Sequence, residues 1–482
     1  MINKDDLINL LEPHFKKDLL QDNYEVKTIT ATKLLTHNRF DIAFKLLYLE
    51  LREKNLALAK EIYKDHIRAL TLNKFTEPGN RNKNSLVKFI ADFENTFHDI
   101  KINGFDNNKS ILPLSKDNSI ANGAHRISSS IFLDKRVSVV NINSDNHNYN
   151  YKFFYNRNVP ELFLDFAAEK FIEYSNNIYL AFVWPTAKGF DKEIEKLIPS
   201  IVYRKEISLN ITGAHNLLSQ IYYGEKWLGN FNNNFKGAYG KLMECFKNFD
   251  PVRVIAFQAN NLKQVSVIKD EIRNLFNIGK HSIHITDSKE EALRISKLVF
   301  NNNSIHFLNN SNPNKYISIH SKIKQFKNFL NKNEINFDDA VLDSGIVLSI
   351  YGLRECKDID FIVSKTLKSK YQQNGIENHD QELVFHKKNK EEIIFNPKYY
   401  FSYQNLKFIS FSQLYKMKLI RAEEKDINDV KMMKALVSNN VFKKIFYQKK
   451  QNFYYFKIKI KQKIIITLKF IGIFEFIKKL IK

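Results

Sequence analysis

Residues 341–363 restrict the fold more than any other stretch. Val341, Leu342 and Asp343 lead into the small pair Ser344 and Gly345, an apolar helical run follows through Ile350, and Asp358, Ile359, Asp360, Phe361, Ile362 and Val363 then read as a strand. Successive side chains of a strand point to opposite faces, so Asp358 and Asp360 share one. Two carboxylates held that way can bind a magnesium ion against the phosphates of a nucleotide. A turn, a helix and an acid-bearing strand in this order make an α/β unit with a candidate active face.

Two later helical segments, one running from Gln413 to Arg421 through Lys418 and one from Lys425 to Val430, extend the pattern. Together, residues 316–440 resemble the DNA polymerase beta-type nucleotidyltransferase fold in its bacterial stand-alone branch. That resemblance implies Asp358 and Asp360 as metal ligands, Ser344, Gly345 and Lys418 as nucleotide-binding residues, and Mg2+ acting with a nucleotide donor. Ser344 and Gly345 stand in the reverse of the family's order. No third carboxylate stands out on the following strand, where Glu382 is the best candidate. A phosphate- or sugar-recognising relic of the fold is the alternative.

Residues 268–300 hold a second centre. Ile283 and His284 read as a strand end, Thr286, Asp287 and Ser288 as helix caps, and Glu290 and Glu291 as the acidic first turn of a helix. A histidine with a carboxylate three residues on and Arg273 eleven before has the parts of a phosphohistidine site: a nucleophile, an acid and a cationic clamp. With Ile272, Phe276, Ala292 and Phe300, and with Leu242 to Phe246 and Pro251 to Phe257 upstream, residues 200–302 resemble nucleoside diphosphate kinases. The resemblance implies a ferredoxin-like fold with His284, Arg273 and Asp287 in catalysis. Ile285 replaces the family's glycine, and too few residues join Phe257 to Arg273 for its nucleotide loop. An ordinary strand-end histidine in a retained fold fits the same residues.

A third centre lies in Asn122, Gly123, Ala124, His125 and Arg126, between the strand-like Ile111 to Leu114 and Val137 to Val140. Gly123 permits close approach of backbone, the following helix offers free N–H groups, and Arg126 offers a bidentate phosphate contact. The step resembles the signature of the ParB/sulfiredoxin-like fold, which implies phosphate binding by Asn122, Gly123, His125 and Arg126. Asn122 stands where kinases of that fold carry an aspartate, and an amide cannot take a proton. A structural turn with a buried histidine is the alternative.

The expected organisation is multidomain α/β and α+β: a helical N-terminal cap over 1–80, a ParB/sulfiredoxin-like domain over 86–198, a ferredoxin-like kinase-like domain over 200–305, the nucleotidyltransferase-like domain over 316–440 and a basic tail over 441–482. Pro78, Gly79 and Asn80 end the cap, and the asparagine-rich run 301–315 reads as the clearest linker. The two cysteines, Cys245 and Cys356, lie far apart without metal-ligand spacing, so neither a disulfide framework nor a zinc site is implied. A charged start and the lack of a long uncharged apolar run predict a cytoplasmic body. The net charge of +23 is concentrated in part in the last forty residues, where 463–482 reads as an interfacial helix on an anionic inner membrane, with docking on the protein's own core as the alternative. Nucleic acid is not the expected partner, since lysine- and asparagine-rich coding accounts for much of the charge.

Three phosphate-directed centres together resemble the large proteins of bacterial capsule and lipopolysaccharide clusters. The resemblance implies a phosphotransferase moving a phosphoryl or substituted phosphoryl group from a nucleotide to a polysaccharide sugar. A non-catalytic nucleotide-binding scaffold and a toxin-antitoxin type nucleotidyltransferase acting on RNA or protein are the competing expectations.

Overall fold

The computed structural model describes residues 1–77, 82–364 and 375–474. The turn at Pro78, Gly79 and Asn80 lies outside them, as do residues 475–482 of the expected tail. The chain is mixed α/β and divides into two compact units, Met1–Asn309 with Phe395–Asn405, and Asn310–Ile394 with Leu406–Lys482.

The first unit holds two main sheets. In the smaller, Arg136–Asn141 lies between Val26–Thr30, antiparallel, and Leu112–Leu114, parallel. The opening eighty residues are therefore not the wholly helical cap that their periodicity predicts. Lys27, Thr28 and Ile29 break the apolar alternation that would announce a strand, and pairing with Arg136–Asn141 supplies what local pattern does not. The helix Asp41–Leu51 is buried on nearly every side, which forces its charged residues to find partners inside. Arg39 donates to both Asp41 oxygens at 2.8 Å, and Lys45 Nζ lies 3.0 Å from Asp41 Oδ2 and 3.3 Å from His66 Nε2.

The larger sheet runs Ile201–Ile207, Val252–Gln258, Ile178–Val183, Ile283–Ile285, with every neighbour antiparallel. Helices Asp191–Leu197 and Leu262–Phe276 carry the two crossovers, a split β-α-β arrangement. Asn261 caps the second by accepting from Gln264 N at 3.0 Å, and Asn277, at φ 52°, ends it in the left-handed conformation that asparagine tolerates. Val265, Ile268 and Ile272 from that helix, with Ile194 from the other and Ile198 just past its end, cover Tyr179, Ala181, Val183, Ile255, Phe257, Ile283 and Ile285. The sheet thus begins at Ile178, inside the stretch that the sequence assigns to the preceding domain.

The asparagine-rich run 301–315 is helical over more than half its length, and the boundary between the two units falls within it, at Asn309 and Asn310. It forms the helix Asn302–Asn310, and its amides serve as backbone readers: Asn301 and Asn303 donate to the carbonyls of Pro397 and Tyr400, and Asn309 donates to Ser208 O at 3.1 Å. A polar helix whose asparagines are employed in this way looks, as composition, like a loop.

In the second unit the strand order is Ile376–Asn378, Ile359–Val363, Ala340–Asp343, Leu406–Ile409. The second and third are antiparallel, and the outer pairings are parallel. Helices Ser318–Lys332, Gly345–Ile350, Phe411–Arg421 and Glu424–Val437 accompany them, and a thirty-residue helix, Val441–Phe470, follows. Gly472, at φ 78°, stops that helix, so the stripe expected over 463–482 does not continue as one helix. No helix among the described residues is long and apolar enough to cross a membrane.

Candidate metal centre

Register in the second unit's sheet lines up its acids. Asp343 is the cross-strand partner of Asp360, and Asp360 of Glu377. Asp358, two residues before Asp360, joins the same face. Asp358, Asp360 and Glu377 each bring a carboxylate oxygen within 4.8 Å of the others, with Asp360 buried, Asp358 half-buried and Glu377 exposed. The Asp358 and Glu377 side chains have no hydrogen bond or ion pair among the described residues. Three carboxylates at that spacing repel unless a cation lies between them, and an all-oxygen set on two adjacent strands, open on one side, suits a hard divalent ion.

Glu377 is the ligand that the sequence does not announce. Its strand is three residues long, too short for alternation to be read. Glu382, the expected third carboxylate, instead accepts from Arg421 Nη1 at 3.1 Å.

Behind the carboxylates stand two histidines and an aspartate that also escape sequence reading. Asp343 is fully buried, accepts from Ser344 N at 2.6 Å, and faces His386 Nε2 at 3.1 Å and His379 Nδ1 at 3.4 Å. His379 Nε2 lies 3.2 Å from Asp360 Oδ1, so one imidazole bridges Asp343 to a candidate ligand. Burial disfavours the charged ring, but the two carboxylates outweigh it and push the His379 pKa up to about 10. For Asp343, burial is likewise overcome, by His386 and His379, which hold its carboxyl well below the usual range. The backbone between these acids and the next helix is strained: Ser344 adopts φ 60° and ψ −120°, a region that non-glycine residues avoid. Ser344 and Gly345 both lie buried at this turn, beside Asp343.

Lys418 is placed differently from its expected role. Its ammonium is enclosed 2.8 Å from Asp426 and 2.9 Å from Asp429, within a buried chain in which Arg354 grips Asp429 and Arg421 joins Asp426 to Glu382. Lys418 ties the Phe411–Arg421 and Glu424–Val437 helices together, which leaves it no exposed face for a phosphate.

Around His284 the expected clamp and acid each take another partner. Ser288 caps the helix Lys289–Val299 as its sequence suggests, accepting from Glu291 N at 3.1 Å. His284 packs against Tyr222, ring centres 5.0 Å apart, with Glu291 Oε1 3.6 Å from Nε2, beyond hydrogen-bond reach. Burial lowers its pKa. Arg273 pairs with Asp270 and the Asp287 carboxylate with Lys269, so clamp and acid are each engaged elsewhere.

At the third centre, Gly123 has φ 95°, a conformation that strains any residue with a side chain, and a Cβ there would press on Leu112 Cδ2. The Asn122 side chain accepts from Gly123 N. His125 spends both ring nitrogens: Nδ1 on Asp92 at 3.1 Å and Nε2 on Tyr63 Oη at 2.8 Å, with its ring stacked on Phe93 at 4.5 Å. Burial brings its pKa down to about 4. Arg126 is half-buried beside Gly123 and has no ion pair among the described residues. Of this group, only Arg126 retains a polar side chain free to meet an anion.

No protein family model matches the chain, and neither the curated proteins nor the solved structures provide a match.

Proposed function

We propose that the second unit is a magnesium-dependent transferase that moves a phosphoryl or substituted phosphoryl group from a nucleotide donor to a sugar hydroxyl, in the assembly of a surface polysaccharide. The observation that carries this reading is the carboxylate set Asp358, Asp360 and Glu377, open on one side and backed by a bridging histidine. These three residues would hold Mg2+, which, when bound, screens phosphate charge and polarises the phosphorus centre. The chain's own part is positional. His379 fixes the Asp360 carboxylate from behind, Asp343 fixes His379, and the strained turn at Ser344 keeps Asp343 at the sheet end. In the transfer, the acceptor hydroxyl oxygen bonds to phosphorus as the bond to the leaving pyrophosphate or nucleoside diphosphate breaks and the hydroxyl proton passes to solvent, and such reactions depend chiefly on positioning and charge stabilisation.

The finer identities in the first unit belong to the same reading. The 178–299 module is taken as ferredoxin-like with a packed, non-catalytic His284, and the module around Asn122 as ParB/sulfiredoxin-like, with Arg126 as its anion contact. The location beside an inner membrane and the sugar acceptor rest on the sequence resemblance.

The test is direct. Mn2+ titration followed by electron paramagnetic resonance, and turnover of labelled nucleoside triphosphates against a panel of sugars, are measured for the full chain and for Asp358→Asn and Asp360→Asn. Loss of both binding and turnover, by a hundredfold or more, in variants that still unfold cooperatively is the expected result. Metal binding without turnover of any donor makes the unit a binding module, and unchanged turnover in both variants defeats the reading.

A further inference from the structure

The helix Val441–Phe470 contains nine lysines and no acidic residue. One line along it faces its own unit. Gln448 donates to Leu353 O at 2.8 Å, Gln451 is buried and donates to Lys425 O at 3.3 Å, and Tyr455 lies under the Lys357 ammonium at 4.5 Å. At 3.6 residues per turn these three lie within roughly 30° of a common line.

The opposite line is apolar and bare. Phe442, Phe446, Phe453, Ile460 and Ile464 fall within roughly 20° of one another's mean direction at that pitch, and are 89%, 62%, 57%, 42% and 53% exposed. Lysines border this stripe on both sides, with Lys443, Lys450, Lys457 and Lys461 along one edge and Lys449 and Lys463 along the other, all exposed. A helix docked on its own core hides its apolar line. Here the docked line is polar and aromatic, and the apolar line points away from the contacts that hold the helix.

We propose that this helix seats the second unit on an anionic membrane surface, with the phenylalanines and isoleucines entering the boundary between headgroups and acyl chains and the two lysine edges meeting lipid phosphates. Charge selects this occupant. Lysine stems lie along the apolar stripe while their ammonium groups reach outward, the arrangement that an interface between hydrocarbon and phosphate rewards. A nucleic acid would leave the stripe in water, and a second copy of the same helix would set lysine edge against lysine edge. The proposal does not depend on the metal centre, and either can fail alone.

The full-length protein is sedimented with vesicles of phosphatidylcholine alone and with phosphatidylglycerol added. Binding is expected only with the anionic lipid, falling steeply between low and physiological salt because exposed charges are screened over about 8 Å there. Each lysine at the surface contributes about fivefold in affinity at low salt. Replacing Phe446, Phe453 and Ile460 by serine should cost at least tenfold at low salt while leaving the melting temperature unchanged, since all three are exposed. Reversing charge at Lys450, Lys457 and Lys461 to glutamate should abolish binding. Equal vesicle binding by wild type and the serine variant overturns the proposal, as does binding to neither vesicle. Self-association removed by the serine variant, or DNA binding without vesicle binding, also overturns it in favour of another occupant.

Discussion

At the scale of single residues, partnership decides role. Glu377 and Glu382 are five positions apart in the chain, yet one is unpaired beside two aspartates and the other is held by Arg421. Glu377→Gln is expected to weaken Mn2+ binding tenfold or more with little effect on melting. Glu382→Gln should leave metal affinity intact and destabilise the protein by about 1–3 kcal/mol, because it leaves Arg421 with one charged partner fewer. Titration calorimetry and thermal melts separate the two, and the reverse assignment would falsify the choice of Glu377. His125 provides the pH-dependent case. Its folded pKa of about 4 lies below the ordinary value of about 6.5, so between those values the unfolded chain binds a proton that the native state refuses. The stabilisation is complete above about pH 6.5 and is lost as pH falls toward 4, by up to about 3 kcal/mol. Urea unfolding across pH 4–7 should show a steeper acid-side loss for wild type than for His125→Gln; parallel slopes would mean that the imidazole is not buried neutral. The sequence made the DxD pair legible because strand parity is a local rule. Glu377 is not legible because only cross-strand register joins it to the pair, and His379 and His386 are not because they reach it from the turn and the short helix that follow that strand.

At the scale of elements, long strong patterns were readable and short or polar ones were not. Leu262–Phe276 declares itself through Val265, Ile268 and Ile272 between two asparagine caps, whereas Val26–Thr30 and Ile376–Asn378 take their identity from the strands beside them. The polar helix Asn302–Asn310 has the composition of a linker because asparagines in and beside it satisfy backbone carbonyls distant in sequence. The two helices tied by Lys418 yield a prediction of their own. Lys418→Met removes the cation shared by two buried aspartates and should cost about 3–5 kcal/mol. Adding Asp426→Asn and Asp429→Asn to Lys418→Met should recover part of that loss. Denaturant melts of the single and triple variants measure this, and a triple variant less stable than the single one would show that the ion chain does not carry its charges as a unit.

At the scale of the whole molecule, the units are not consecutive in sequence. Phe395–Asn405 belongs to the first unit although the chain on either side of it belongs to the second. Within the first unit that segment stacks Phe401 on Phe307 at 4.6 Å, and its Ser402 N donates to Ser304 Oγ at 3.0 Å. A chain ending at residue 309 should therefore melt at least several degrees below the first transition of the full protein, or aggregate, because those partners leave apolar rings and buried carbonyl-seeking amides exposed. Scanning calorimetry of the two proteins is the check, and coincident transitions would show that the segment is dispensable. The same interleaving sets an order of events on the ribosome. The first unit lacks part of its own core until residue 405 has emerged, so at about 5–20 residues per second its earlier 309 residues wait several seconds while strands and helices of the other unit appear. During that interval the amides of Asn301 and Asn303, which wait for Pro397 and Tyr400, and the ring of Phe307 are the parts of the nascent chain most in need of protection.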